Sequence, residues 1–175
     1  MTPAAVSEDR ALAAHPAAAL LRPVYFVSDL HLAAARPAPV EVFLRFLQAE
    51  AATAGAVYIL GDLFEYWVGD DDRSDPVVER VCAGIAETVS RGVPVFFSHG
   101  NRDFLLGKAA AARAKMRLLG EQTTINLFGR RTLITHGDEL CTADRAYQRY
   151  RQRIRTPWVM RALAGLPLSV RRAIA

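Results

Sequence analysis

The chain has 175 residues, 51% hydrophobic and 23% charged, with a formal net charge of +4. That length and balance suit a globular domain that buries its own core, and they exclude a disordered polyelectrolyte. Two cysteines, Cys82 and Cys141, form no pairing pattern, and no uninterrupted apolar run is long enough to span a bilayer.

Residues 1–22 carry Glu8 and Asp9 early and lack a basic start, so the sequence predicts a disordered or loosely helical extension rather than a signal peptide, and with it a cytoplasmic location. VYFVS (24–28) predicts a buried strand. Residues 39–53 place Val42, Phe43, Phe46 and Leu47 at helical spacing, and AVYIL (56–60) predicts a second strand. Asp75-Pro76 opens a helix through about Ser90, with Asp75 as N-cap and Pro76 in the first turn, and Arg91-Gly92 closes it. VPVFFSH (93–99) is the third strand, residues 103–117 predict a short helix, and TTINLF and RTLIT flank Gly129-Arg130 as a hairpin. Strands separated by helices predict an α/β fold with parallel pairing at the start, to which the hairpin adds strands of another direction. From Arg145 to Ala175 there are eight arginines and no acidic residue, a segment suited to phosphates or an anionic surface, or simply a solvated helix face.

In open α/β sheets, sites form beyond the carboxyl ends of strands. The first strand ends in Ser28-Asp29-Leu30-His31, the second in Gly61-Asp62, the third in Gly100-Asn101-Arg102-Asp103, and the hairpin in His136-Gly137-Asp138. The topology predicts that these four loops meet at one edge of one sheet. Asp29, His31, Asp62, Asn101 and His136 offer mixed oxygen and imidazole donors, which suit Mn²⁺, Fe²⁺ or Zn²⁺ better than Ca²⁺ or Mg²⁺. A carboxylate such as Asp62 can serve two ions at once, as in two-metal hydrolytic sites.

These strand ends resemble the motifs of the calcineurin-like metallophosphoesterases, D-x-H, then G-D, then G-N-[HR]-D, then His. The stretches GDLFEYWVGDDD (61–72), HGNRDFLLGK (99–108) and HGDELCTADRAYQRYR (136–151) are similar to the branch of that family that hydrolyses UDP-2,3-diacylglucosamine in lipid A biosynthesis. The resemblance implies a β-sandwich flanked by helices with a helical lid insertion: a core over 23–144 and an Arg-rich lid from 145–175. It implies two Mn²⁺, one held by Asp29, His31 and Asp62, the other by Asp62, Asn101 and His136. It implies a pyrophosphate hydrolase at the cytoplasmic face of the inner membrane, with UDP-2,3-diacylglucosamine as partner and no nucleic acid. Arg102 stands where many relatives have His; it cannot donate a proton, so it is expected to clamp the pyrophosphate. Asn101, Asp144 and Tyr147 match substrate-contacting positions, and Trp67 and Phe104 match apolar positions near the cleft, Trp67 fitting plain core packing equally well. The family's G-H-x-H does not occur in this sequence, so the closing strands and two histidine ligands are expected to be missing. Two other readings stand beside this one: another two-metal phosphoesterase such as a nuclease or nucleotide phosphatase, and an inactive truncated form.

Overall fold

The computed structural model describes residues 22–174. The extension expected over residues 1–22 lies outside these but for Arg22. Four parallel strands form one sheet in the order β1 (Val24–Val27), β2 (Ala56–Leu60), β3 (Val95–Ser98) and β4 (Arg117–Leu118). Two helices supply the crossovers, α1 (Pro37–Gln48) and α2 (Pro76–Ser90), and a third, α3 (Lys108–Arg113), precedes β4. The α2 boundaries are those read from the Asp75-Pro76 signal, and Asp75 accepts the Val77 amide hydrogen bond at 2.8 Å.

Alternation along β2 sorts its side chains between two cores. Val57 and Ile59, both fully buried, pack with Phe43, Leu47, Val81 and Ile85 of the helix layer. Tyr58 and Ala56 face the other way, against Phe96, Ile125 and Ile134. Burying side chains of this kind contributes about 1.5–3 kcal/mol each. The second core lies under an antiparallel hairpin, β5 (Gln122–Leu127) and β6 (Arg130–Thr135), which turns at Phe128-Gly129 with positive φ at both positions, as a tight two-residue hairpin turn requires. The hairpin is a separate two-stranded sheet laid over the first, not an addition to its edge.

Three other expectations are corrected. Helix 1 stops at Gln48 and a single 3₁₀ turn covers Ala51–Thr53, while Val42 points outward at 55% exposure and Val40 takes the buried place. The helix expected over 103–117 shrinks to α3. Asp103 turns its carboxylate to three backbone amides instead of starting the helix, and Lys115, at φ 54°, breaks the chain out into β4.

The Arg-rich segment folds as α4 (Arg145–Ile154), α5 (Pro157–Gly165) and α6 (Leu168–Ile174). Its helices are tied back to the core by ion pairs. Arg171, 5% exposed, donates to the Val68 carbonyl at 2.5 Å and pairs with Asp71, and Arg172 pairs with Asp72 at 2.6 Å. The Arg171 guanidinium holds the Asp71 carboxyl below the ordinary carboxylate value, and Arg172 does the same for Asp72.

Candidate metal centre

Beyond their ends, β1 and β2 stay zipped together by backbone hydrogen bonds: Asp29 donates to Gly61 at 3.1 Å, His31 to Asp62 at 3.0 Å and Leu32 to Leu63 at 2.9 Å. Within this zipper Asp29, His31 and Asp62 all take left-handed backbone conformations, with φ of 55°, 48° and 52°. Such conformations are strained for residues with a Cβ and persist only where surrounding structure over-determines them. Here they turn the three side chains toward one point. Gly61, at φ 90°, allows the closest approach: a Cβ there would stand 2.5 Å from the Gly100 Cα.

Asp29, Asp62 and His136 bring one ligand atom each to within 4.8 Å of one another. The Asp62 carboxylate is buried and faces two imidazoles, with Oδ2 at 3.7 Å from His31 Nε2 and Oδ1 at 3.9 Å from His136 Nε2. His136 Nδ1 donates to the Leu60 carbonyl at 2.8 Å, an oxygen that can only accept, and this fixes the ring with Nε2 turned toward the cluster. Nε2 lies 3.2 Å from Asn101 Oδ1. On the other side, His31 Nδ1 stands 3.3 Å from Glu65 Oε2 without forming a hydrogen bond, and Nε2 faces Asp62. Two carboxylates, two imidazoles and an amide oxygen thus converge. This donor set fits a divalent cation, as mixed oxygen and nitrogen ligands do. The fourth loop comes from the hairpin: His136 follows β6, so the site lies between the two sheets rather than along one edge.

One residue outside the expected set holds the loops together, and another, Glu65, borders the cluster. Asp103, 0% exposed, accepts from the amides of Gly100 (2.9 Å), Leu63 (2.8 Å) and Asp62 (3.3 Å), and so staples the loop after β3 to the loop after β2. Burial pushes its carboxyl above the ordinary value while the Gly100 and Leu63 amides pull against it. Its place in the quoted Gly-Asn-Arg-Asp run marked it, but the run alone gave no role. Glu65 carries no motif signal except its position three residues after Asp62.

A cavity of about 260 Å³ opens beside the cluster. Glu65, Asn101 and Arg102 line it together with Trp67, Phe104, Leu163 and Ile154. Arg102 is half-exposed, its amide donates to Asp62 Oδ1 at 2.9 Å, and its Nη1 lies 3.9 Å from Glu65. Trp67 is 6% exposed and donates its indole N–H to Asp70 at 3.1 Å. Asp70 also accepts the amides of Gly107, Ala109 and Ala110, so it caps α3 and sets the Trp67 ring with one carboxylate. Asp144 and Tyr147 are not among the residues lining this cavity. Asp144 caps α4 by accepting the Tyr147 amide at 2.9 Å, and the Tyr147 hydroxyl donates to Asp138 at 2.7 Å.

Residues 22–160 match the model of the calcineurin-like phosphoesterases. The UDP-2,3-diacylglucosamine hydrolases of Salmonella agona (strain SL483) and Salmonella dublin are each 52% identical to this chain over 150 residues, covering 86% of it. That of Salmonella arizonae is 51% identical over the same span. The chain spans 62% of the length of these relatives. Among solved structures, the crystal structure of the Pseudomonas putida nuclease MPE aligns with a TM-score of 0.40 and 24% identity, covering 55% of this chain and 46% of that one.

Proposed function

The chain belongs to the calcineurin-like phosphoesterase family, whose fold implies the use of divalent metal, and we propose that it hydrolyses the pyrophosphate bond of UDP-2,3-diacylglucosamine to UMP and 2,3-diacylglucosamine 1-phosphate. The observation that carries this reading is one juxtaposition: a convergent cluster of Asp29, His31, Asp62, Asn101 and His136 adjoins a cavity lined by both charged and aromatic or aliphatic side chains. A pyrophosphate flanked by a nucleotide and a diacylated sugar needs both kinds of surface. The names of the Salmonella relatives support the same substrate.

In this reading Asp29, His31 and Asp62 would hold one ion, and Asp62, Asn101 and His136 the other. Such ions, which we take to be Mn²⁺, would supply an acidified water and neutralise charge at phosphorus. The remaining work belongs to the protein. The Leu60 carbonyl orients His136 through its Nδ1, which turns Nε2 toward the cluster. Arg102 binds the non-bridging oxygens and stabilises the charge that grows there as the α-phosphate is attacked in line and the lipid phosphate leaves. Trp67 and Phe104 wall the cavity against water. We further propose that the protein works as a peripheral protein on the anionic cytoplasmic face of the inner membrane. Arg145, Arg149 and Arg153 are exposed at four-residue spacing on α4, and Trp158, in the first turn of α5, is 71% exposed.

The test is UMP release from UDP-2,3-diacylglucosamine in detergent, with Mn²⁺ added or chelated. Metal-dependent release is expected. Metal-dependent cleavage of DNA or of simple nucleotides with no UMP release overturns the substrate. Co-sedimentation with vesicles containing phosphatidylglycerol, but not with purely zwitterionic ones, is expected from the surface reading.

A further inference from the structure

Arg155 ends α4 and reaches back to the loop that carries Asn101. Its Nη2 donates to the Gly100 carbonyl at 2.8 Å and to Asp138 Oδ2 at 3.3 Å, while Nη1 donates to Glu121 at 2.5 Å. The side chain is 9% exposed. The Gly100 carbonyl belongs to the peptide that leads into Asn101, whose Oδ1 faces His136, and then into Arg102. The rest of this short backbone is pinned by the core: the Gly100 amide by Asp103 at 2.9 Å, the Arg102 amide by Asp62 at 2.9 Å, and the Arg102 carbonyl by the Trp67 amide at 3.1 Å. Arg155 is the clamp that comes from the Arg-rich helices, and it grips the one peptide on which Asn101 pivots.

Arg151 is its natural comparison. It lies one turn earlier on the same helix and donates to the same two carboxylates, Asp138 at 2.8 Å and Glu121 at 2.9 Å. It does not touch Gly100. Both arginines therefore hold α4 on the core, but only Arg155 extends the hold to the ion loop. We propose that Arg155 is a positioning residue: it fixes the Gly100–Asn101 peptide so that Asn101 and Arg102 are set for ion and phosphate. A guanidinium suits this because it is permanently charged and its fork satisfies a carbonyl and two carboxylates at once. This inference rests on the ion-binding reading above.

The experiment compares Arg155→Met, Arg155→Lys and Arg151→Met in the full chain. Mn²⁺ affinity is read by calorimetry, and amide exchange at Gly100, Asn101 and Arg102 is read without added metal. Loss of a group that orients a ligand typically weakens metal binding about 10–100-fold, and that is the range expected for Arg155→Met. Arg155→Lys should recover part of the affinity, because one ammonium can still reach the carbonyl but cannot span both carboxylates. Arg151→Met should lower the melting temperature and leave the ion affinity and the exchange at Asn101 as in the unaltered chain. Equal effects of Arg155→Met and Arg151→Met on both readouts, or no effect of either, overturn the positioning role and leave only helix docking. An unaltered chain that takes up no Mn²⁺ overturns the ion reading instead. The exchange rates then still decide whether Arg155 holds this peptide.

Discussion

Gly100→Ala tests the close contact on which the site is built. A methyl group at Gly100 would lie 2.0 Å from Asp62 Oδ1 and 2.4 Å from the Asp62 backbone nitrogen, where contacts below 3.0 Å essentially never occur. Neither atom is free to move aside. The Oδ1 accepts the Arg102 amide at 2.9 Å, and the Asp62 amide donates to Asp103 at 3.3 Å. The two loops must therefore part by about an ångström. Overpacking of this kind costs about 1–3 kcal/mol, and in a chain of this size each kcal/mol lowers Tm by about 2–4 °C. The larger effect falls on the ion, since Asp62 and Asn101 sit on the loops being forced apart: affinity for Mn²⁺ should drop by about 10–100-fold. Calorimetric titration with Mn²⁺ and thermal melting measure the two effects. Gly92→Ala is the control. Its φ is +93° and nothing lies within 4 Å of a Cβ there, so it adds backbone strain far from the site and should cost Tm without changing ion affinity. A Gly100→Ala chain that binds Mn²⁺ like the unaltered one refutes the claim that this close approach sets the ion site.

Three further outcomes follow from the same geometry. Asp62→Ala should abolish ion binding at both positions, as counted by plasma spectroscopy after dialysis, because its two oxygens face His31 and His136 separately; loss of one ion alone means that Asp62 is not shared. Arg102→Ala should lower kcat by about 10²–10³ with ion content intact, the usual effect of removing one donor from developing charge; a near-normal rate of UMP release sinks the clamp. The α6 clamp should be acid-sensitive. Asp71 and Asp72 titrate below the ordinary 3.8 because Arg171 and Arg172 hold them ionised, so their contribution is fully present above that value and is lost as pH falls through the lowered ones. Amide-exchange protection of α6 should therefore hold steady from pH 7 to pH 5 and fall below about pH 4, and Asp71→Asn should remove much of it at pH 7; protection indifferent to both contradicts the assignment.

What could be read from the sequence was local. Asp29, His31, Asp62 and Asn101 each follow an apolar run within a few residues, so the rule that sites form at strand ends located them without knowledge of distant contacts. The α2 boundaries were legible for the same reason, since Asp75 caps an amide two residues away. The failures share the opposite cause. Residues 103–117 read as a helix by composition, but Asp103 is bound to amides some 40 residues earlier, and the cap of α3 is Asp70, 37 residues before Gly107. TTINLF and RTLIT read as a hairpin, but nothing in them told that Ile125 and Ile134 face Tyr58 and Phe96 across a second sheet. The arginines are the sharpest case. As letters, the eight that follow Asp144 are interchangeable. In the fold, Arg145, Arg149 and Arg153 are exposed, Arg171 closes on Asp71, and Arg155 reaches the peptide before Asn101. Helical periodicity separates the first group from Arg151 and Arg155, because it says which residues share a face. It cannot name what that face meets. The partners, Asp138, Glu121 and the Gly100 carbonyl, are brought there by the turn after β6, the bend before β5 and the loop after β3, and only the assembled fold puts those three within reach of one guanidinium.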